Sequence, residues 1–359
     1  MIIRVQHRCD GIALALALIA VFVFSALAAG LALSMKVEAR LAQNADSEQE
    51  LYWLGRSGVE LARWVLAQQT TIPGEPYDAL NQVWAGGPGG LGTSNSVLCG
   101  LSLDDYPVGK GTVSVKIVDL DRKVNINIAR REVIVETLTL MGVDANDISV
   151  VADSILDWID PDDNALVAGA ESDYYQGLPV PYFAKNAPID NLSELLLVKG
   201  VTQEMYWGGS ASNHPPSVFQ HKLGFGTAPG QIPDYPFGLK DVFTPISSGR
   251  VNINTADVNV LQILLNGDAE TATAIIDRRR GPDQADGTED DMPYSNISQL
   301  ASFGIPAQVV SQLNGLCAVR STVFEVHVQA HIGDQHREYI AILWRASGLD
   351  IRVLSFYWK

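Results

Sequence analysis

An unbroken apolar run over residues 12–33 constrains this chain more than any other stretch. It carries no charge, and nothing in it is more polar than Ser25. As a helix its 22 residues extend roughly 33 Å, enough to cross a hydrocarbon core. Arg4, His7 and Arg8 lie upstream, with Gly11 at the junction. A basic flank on this side places the N-terminus in the cytoplasm and the remainder across the membrane.

From the run alone, three readings stay open. It reads as a plain anchor, or as a cleaved secretory signal, since Ala26-Leu27-Ala28 has the small-x-small form. The third reading is a prepilin, in which a peptidase removes a short basic leader behind Gly11 and Ile12 becomes the new N-terminus. The run is long for a secretory signal, and helical pattern continues past Ala28. No proline occurs before Pro73, so one helix is predicted over residues 12–69, roughly 85 Å long. Leu51, Leu54, Gly58, Leu61 and Val65 repeat at spacings of three and four, a stripe expected to lie against a sheet. Glu48, Glu50, Arg56, Glu60 and Arg63 are expected mostly to face water or neighbours. A half-apolar, half-amphipathic helix leading an extracytoplasmic domain has the shape of a type IV pilin or pseudopilin.

With 359 residues, 47% of them hydrophobic, the chain can bury more than one core. The formal charge is −16, and losing Arg4, Arg8 and Asp10 with a leader would leave −17. Such acidity repels nucleic-acid phosphates and suits divalent cations or basic partner faces. Cys9 would leave with the leader. Cys99 and Cys317 then remain, either as a disulfide or as two separate thiols.

Residues 73–111 are rich in Gly, Pro and Asn and read as a flexible loop. Gly87-Pro88-Gly89-Gly90-Leu91-Gly92 matches a dinucleotide fingerprint in form, but lacks the strand before and the helix after that would hold a pyrophosphate. Residues 112–119 alternate as a strand, and 322–332, 338–346 and 350–358 supply three more, with turns at Gly333-Asp334 and Ser347-Gly348. The outer helix and four strands form an α/β roll. The roughly 200 residues between strands one and two are then an insertion.

The insertion contains a repeat. Val124-Asn125-Ile126-Asn127 recurs as Val251-Asn252-Ile253-Asn254. Helices are predicted after each copy at 132–141 and 258–265, followed by second helices ending near Asp160 and Arg280. Each copy then has an acidic loop, followed by Asn191-Leu192-Ser193-Glu194-Leu195 or Asn296-Ile297-Ser298-Gln299-Leu300. Two small helical modules joined by a Gly/Pro-rich stretch explain this order.

The prepilin-like start, Glu38-Ala39-Arg40-Leu41-Ala42 and the paired modules inside a pilin roll resemble the GspK family, large minor pseudopilins of the type II secretion system. The stretches Pro179 with Asn186-Ala187-Pro188, Glu194-Leu195-Leu196-Leu197-Val198-Lys199-Gly200-Val201 and Val251-Asn252-Ile253-Asn254-Thr255-Ala256 look like the family's two modules.

The resemblance implies an α+β fold: a type IV pilin-like roll of one long N-terminal helix and an antiparallel sheet. Into it is inserted an α-helical region of two SAM-like, helix-hairpin-helix-like modules. The expected divisions are leader 1–11, membrane helix 12–34, outer helix, loop and first strand 35–121, module one 122–206, linker 207–249, module two 250–318, and C-terminal strands 319–359. The implied function is to initiate or cap the secretion pseudopilus at its tip, for export of folded proteins across the outer membrane. The implied place is the bacterial inner membrane, spanned once, with the bulk in the periplasm. Implied partners are two other minor pseudopilins (GspI-like and GspJ-like), a major pseudopilin and the prepilin peptidase. A tip pilin of a related type IV pilus system is the near alternative.

Ordinary pilins carry Glu as the fifth mature residue, pairing with the terminal amine of the subunit above. Here that position is Leu16. A subunit with nothing above it would bury a carboxylate without a partner, so an apolar residue fits a tip. Two acidic loops are candidate calcium sites: Asp160, Asp162, Asp163, Glu171 and Asp173 (with Asp157 preceding them), and Asp283, Asp286, Asp290 and Asp291 (with Glu289 among them). Calcium binding in some GspK members supports the first loop; a solvated acidic loop is the alternative for both.

No nucleophile elbow, H-E-x-x-H or P-loop accompanies the carboxylates, so catalysis is not expected. His327 and His331 share a strand face but lack the further ligands structural zinc wants. A rival class is the helix-hairpin-helix DNA-binding competence protein, which 252–256 and 274–279 also resemble. Its phosphate-binding turn here would read Leu265-Asn266-Gly267-Asp268-Ala269-Glu270, placing two carboxylates where a phosphate would sit. No nucleic-acid partner is expected.

Overall fold

The computed structural model describes residues 10–90, 92–209 and 235–359. The leader up to residue 9, Leu91 in the glycine-rich loop and 210–234 of the expected linker lie outside the described residues.

A single helix, α1, spans Asp10–Gln69. Its stretch Leu14–Leu41 buries nothing within the molecule, whereas Leu51, Leu54, Val65 and Leu66 are buried in the roll. Leu61 of the predicted stripe is half-buried. Two glycines let α1 lie this close to the sheet. A Cβ at Gly58 would overlap the Val328 side chain, and one at Gly55 the Tyr339 ring.

The sheet has five strands in the order β1-β2-β7-β8-β9. They are β1 (Tyr106–Val108), β2 (Gly111–Asp119), β7 (Val323–Ile332), β8 (Gln335–Ser347) and β9 (Asp350–Trp358), all antiparallel. Alternate residues of β2 and β7 form the inner face, with Val115 opposite Val328 and Ile117 opposite Val326. The four predicted strands are present. The fifth, β1, is a short edge strand containing Pro107, whose missing N–H is tolerated only at such an edge.

The 73–111 segment is packed, not loose. Buried Glu75 takes side-chain hydrogen bonds from Gln69 (2.8 Å) and Gln82 (2.9 Å) and the backbone N–H of Gly92 at 3.1 Å. Trp84 is buried against Phe324, its ring centroid 5.4 Å away.

The insertion leaves β2 and returns into β7, neighbouring strands of one sheet. Module one holds β3 (Val124–Asn125), α2 (Arg131–Met141), α3 (Ala145–Ile159), α4 (Ser172–Gln176), α5 (Gln203–Trp207), α6 (Leu239–Val242) and β4 (Phe243–Thr244). Module two holds β5 (Val251–Asn252), α7 (Val258–Leu264), α8 (Ala269–Arg279), α9 (Ala307–Leu316) and β6 (Cys317–Ala318). Each module is closed at its base by a two-residue parallel pair, β3 with β4 and β5 with β6. Tyr235, Phe237, Leu239 and Phe243 are buried in the helical core, so 235–244 completes module one.

The repeated Val-Asn-Ile-Asn motif has a physical role. Asn125 accepts from the N–H of Asn127 at 3.0 Å, and Asn252 from that of Asn254 at 3.0 Å. The second asparagine then clamps a distant backbone in both directions. Asn127 donates to the Ile189 carbonyl (2.9 Å) and accepts from the Ile189 N–H (2.7 Å). Asn254 does the same with Tyr294, at 2.9 and 2.8 Å. Two residues further on, Asn191 and Asn296 cap the short helices that close each core.

Candidate functional site

The first acidic loop follows α3. Asp157 and Asp160, three positions apart at the end of that helix, fall on one face. Asp157 is wholly buried and accepts the Leu166 N–H at 3.1 Å. A Cβ at Gly169 would collide with its carboxylate, so the loop closes over Asp157 only with glycine there. Glu171 precedes α4 and is buried beside them. One oxygen from each of Asp157, Asp160 and Glu171 lies within 4.8 Å of the others.

Both Glu171 carboxylate oxygens and Asp160 Oδ1 are buried without a hydrogen-bond partner. Burial, then the neighbouring Asp157 and Asp160, pushes the Glu171 carboxyl up to about 7. Burial likewise raises Asp157 and Asp160. Converging oxygens that lack donors are what a hard cation takes, and Ca²⁺ accepts six to eight such ligands in flexible geometry.

The other expected ligands of this loop are engaged differently. Asp162 Oδ1 accepts the Asn164 N–H at 2.8 Å. Asp163 Oδ1 accepts from Ser172 Oγ and Asn186 Nδ2, both at 2.9 Å. Asp173 is exposed on α4. The converging set is therefore Asp157, Asp160 and Glu171. The place of Asp157 was signalled by its spacing from Asp160 on a helix.

The second loop folds on itself. Asp286 pairs with Arg279 (3.2 Å) and Arg280 (2.8 Å). Burial alone would raise its carboxyl, but the two guanidiniums hold it below the usual range. Asp283 Oδ1 accepts the Ala285 N–H at 2.8 Å. Asp290 accepts from the Asp283 N–H (2.9 Å) and Thr288 Oγ1 (2.8 Å), and Asp291 from the Gly287 N–H at 2.8 Å. These carboxylates shape a turn: Asp286 is charge-compensated by Arg279 and Arg280, and among the described residues the expected calcium set Asp283, Asp286, Asp290 and Asp291 forms no converging group of oxygens.

Cys99 is exposed and Cys317 buried, both as free thiols, so the disulfide alternative does not hold. His327 is held between Glu325 (2.6 Å) and Glu338 (3.2 Å), while His331 stacks on His336. In the hairpin between α7 and α8, Asp268 caps α8 through the Thr271 N–H at 3.0 Å, occupying the place a DNA phosphate would need. Gly11 and Ile12 lie in the first turn of α1, and Leu16 is exposed on its apolar part.

Comparison with known proteins gives a consistent picture. Residues 117–207 match the family model described as type II secretion system (T2SS), protein K, a span that contains Asp157, Asp160 and Glu171. The chain is 24% identical over 360 residues to type II secretion system protein K of Pseudomonas aeruginosa, covering 96% of this chain and 92% of that one. It is 23% identical over 269 residues to protein K of Pectobacterium carotovorum, covering 70% and 71%. It shares the fold of a chain in the crystal structure of the GspK-GspI-GspJ complex from enterotoxigenic Escherichia coli, with a TM-score of 0.61 and 18% identity, covering 89% of this chain and 99% of that chain. The family model, these relatives and the shared fold together make the chain similar to the K proteins of the type II secretion system.

Proposed function

We propose that this minor pseudopilin sits at the tip of the secretion pseudopilus, where it initiates and caps the fibre during export of folded proteins across the outer membrane. The observation that carries the reading is the division of α1. Its inner stretch, Leu14–Leu41, is apolar and wholly exposed, while the same helix continues into the buried core of the roll. An apolar helix held rigidly outside its own domain is a surface for bilayer and neighbouring helices. Leu16 supports the tip position, because it offers no carboxylate to a subunit above. The double module supports it too, since a body that broad leaves no room for stacking.

In this reading the chain spans the bacterial inner membrane once, with its bulk in the periplasm. Prepilin peptidase cuts between Gly11 and Ile12. Its partners are a GspI-like and a GspJ-like minor pseudopilin, as in the complex of the solved relative, together with the major pseudopilin. Asp157, Asp160 and Glu171 hold a calcium ion that ties the loop to the end of α3. The protein acts by assembly, not by catalysis. The test is co-purification of the membrane-extracted full chain with its two partner pseudopilins, read beside secretion in cells. A Leu16→Glu variant is expected to assemble less and secrete less. Secretion unaffected by deleting the gene for this chain, or co-purification and secretion both unaffected by Leu16→Glu, would overturn the tip assignment.

A further inference from the structure

We propose that the free edge of β9 accepts an extended segment of a partner minor pseudopilin as a sixth strand, with a carboxylate on that segment meeting Arg56. The inference rests on the assembly reading above and says where a partner joins. The two edges of the sheet differ. β1 is blunted by its three-residue length and by Pro107, whereas β9 runs for nine residues, and 353–358 contains neither charge nor proline. A long apolar edge of this kind is a template for pairing with another chain.

The backbone register fixes which groups are on offer. The Lys359 N–H donates to the Glu338 carbonyl at 3.0 Å, and bonded positions alternate along an antiparallel pair. Tyr357 and Ser355, opposite Ile340 and Ile342, therefore bond to β8. Phe356 and Trp358, opposite Ala341 and Tyr339, turn their N–H and C=O groups outward. Phe356 packs on Tyr52 of α1, their ring centroids 5.7 Å apart. Tyr52 and Trp358 stay exposed, so the inward side chains of an added strand would cover them.

Charge names the chemistry of the occupant. The Arg56 guanidinium lies 5.4 Å over the Phe356 ring, and among the described residues no carboxylate pairs with it. Glu48, Glu50 and Glu60 on the same stretch of α1 are taken by Arg337, Lys110 and Arg63. An unpaired cation beside an open backbone edge, on a chain of net charge −16, fits a strand that carries an apolar residue and a carboxylate on its inward face.

The experiment reads amide hydrogen exchange of the full chain in detergent, alone and with its GspI-like and GspJ-like partners. In the complex Phe356 and Trp358 are expected to exchange about tenfold more slowly, with Ser355 and Tyr357 little changed. Trp358→Pro removes an outward N–H without costing β8 a bond, and is expected to weaken association about tenfold. Trp358→Ala keeps that N–H and is expected to weaken it less. Arg56→Glu is expected to weaken it about tenfold as well. Unchanged exchange at Phe356 and Trp358 in a complex that does form overturns this inference alone, as does Trp358→Pro associating no worse than Trp358→Ala. Failure of any complex to form overturns the assembly reading together with it. The same protection in the chain alone at high concentration gives the edge to a second copy and also overturns the proposal.

Discussion

The Asn252 side-chain amide donates to the Asp119 carboxylate at 3.2 Å, joining the first strand of module two to the last residue of β2. Ser321 Oγ donates to the same oxygen at 2.6 Å, and the Asp121 N–H reaches the other at 2.8 Å. Three parts of the chain thus meet on one buried carboxylate.

Burial, followed by the charge of Asp121, pushes Asp119 up to about 7. Between pH about 4 and about 7 the folded protein then holds a proton that the unfolded chain releases. Stability from this group is full below the unfolded value and falls as pH rises through the folded one, by on the order of 2–4 kcal/mol. Asp119→Asn should remove that slope. Urea unfolding of both proteins at pH 5 and pH 8 checks it, and parallel pH profiles would contradict it.

Glu171 carries the same sign. Without an ion its raised value makes stability fall as pH rises towards about 7, whereas calcium needs the ionised form. Calcium should therefore raise the melting temperature more at pH 8 than at pH 6, and Glu171→Gln should abolish the difference. Calorimetry with and without a chelator reads this, and an unchanged melt at millimolar calcium would end the calcium assignment.

Gly58→Val should destabilise the roll by about 1–3 kcal/mol, because the new side chain must displace Val328. Gly30→Val, where nothing lies within 4 Å, should leave the melt nearly unchanged. Equal melting of the two variants would show that α1 does not lie on β7 as described.

Arg345 pairs with Asp78, with 4% and 3% of their side chains exposed. Arg345→Met leaves the carboxylate buried and unpaired, a loss of about 3–5 kcal/mol. Adding Asp78→Leu should recover part of it. A double variant no more stable than the single one would show that the charge is not the cause.

Gly11→Val should block removal of the leader and leave a longer membrane-bound product. Mass spectrometry of the mature N-terminus decides, since processed wild type must begin at Ile12. A Gly11→Val product of unaltered mass would refute processing at this bond.

Much of the fold was legible because burial imposes periodicity. The spacing of Leu51, Leu54, Gly58 and Val65 and the alternation in β2 and β7 each report one covered face. β1 was hidden because its three residues are at most half-covered and contain Pro107. The asparagine motif was visible as a repeat, but its task joins residues 62 and 40 positions apart, at Ile189 and Tyr294. No local pattern carries such a contact. The two acidic loops looked alike in composition. What separates them is Arg279 and Arg280 at the end of the preceding helix, which pair with Asp286, whereas among the described residues no ion pair reaches Asp157, Asp160 or Glu171.

Each helical module ends where it begins, at a two-residue parallel clasp, and the pair together springs from adjacent strands of the sheet. A polypeptide laid out in this way can gain or lose one looped bead without rethreading the layer beneath it. The two beads nonetheless share one hydrophobic core, so residues 250–318 are held to module one by packing as well as by the chain.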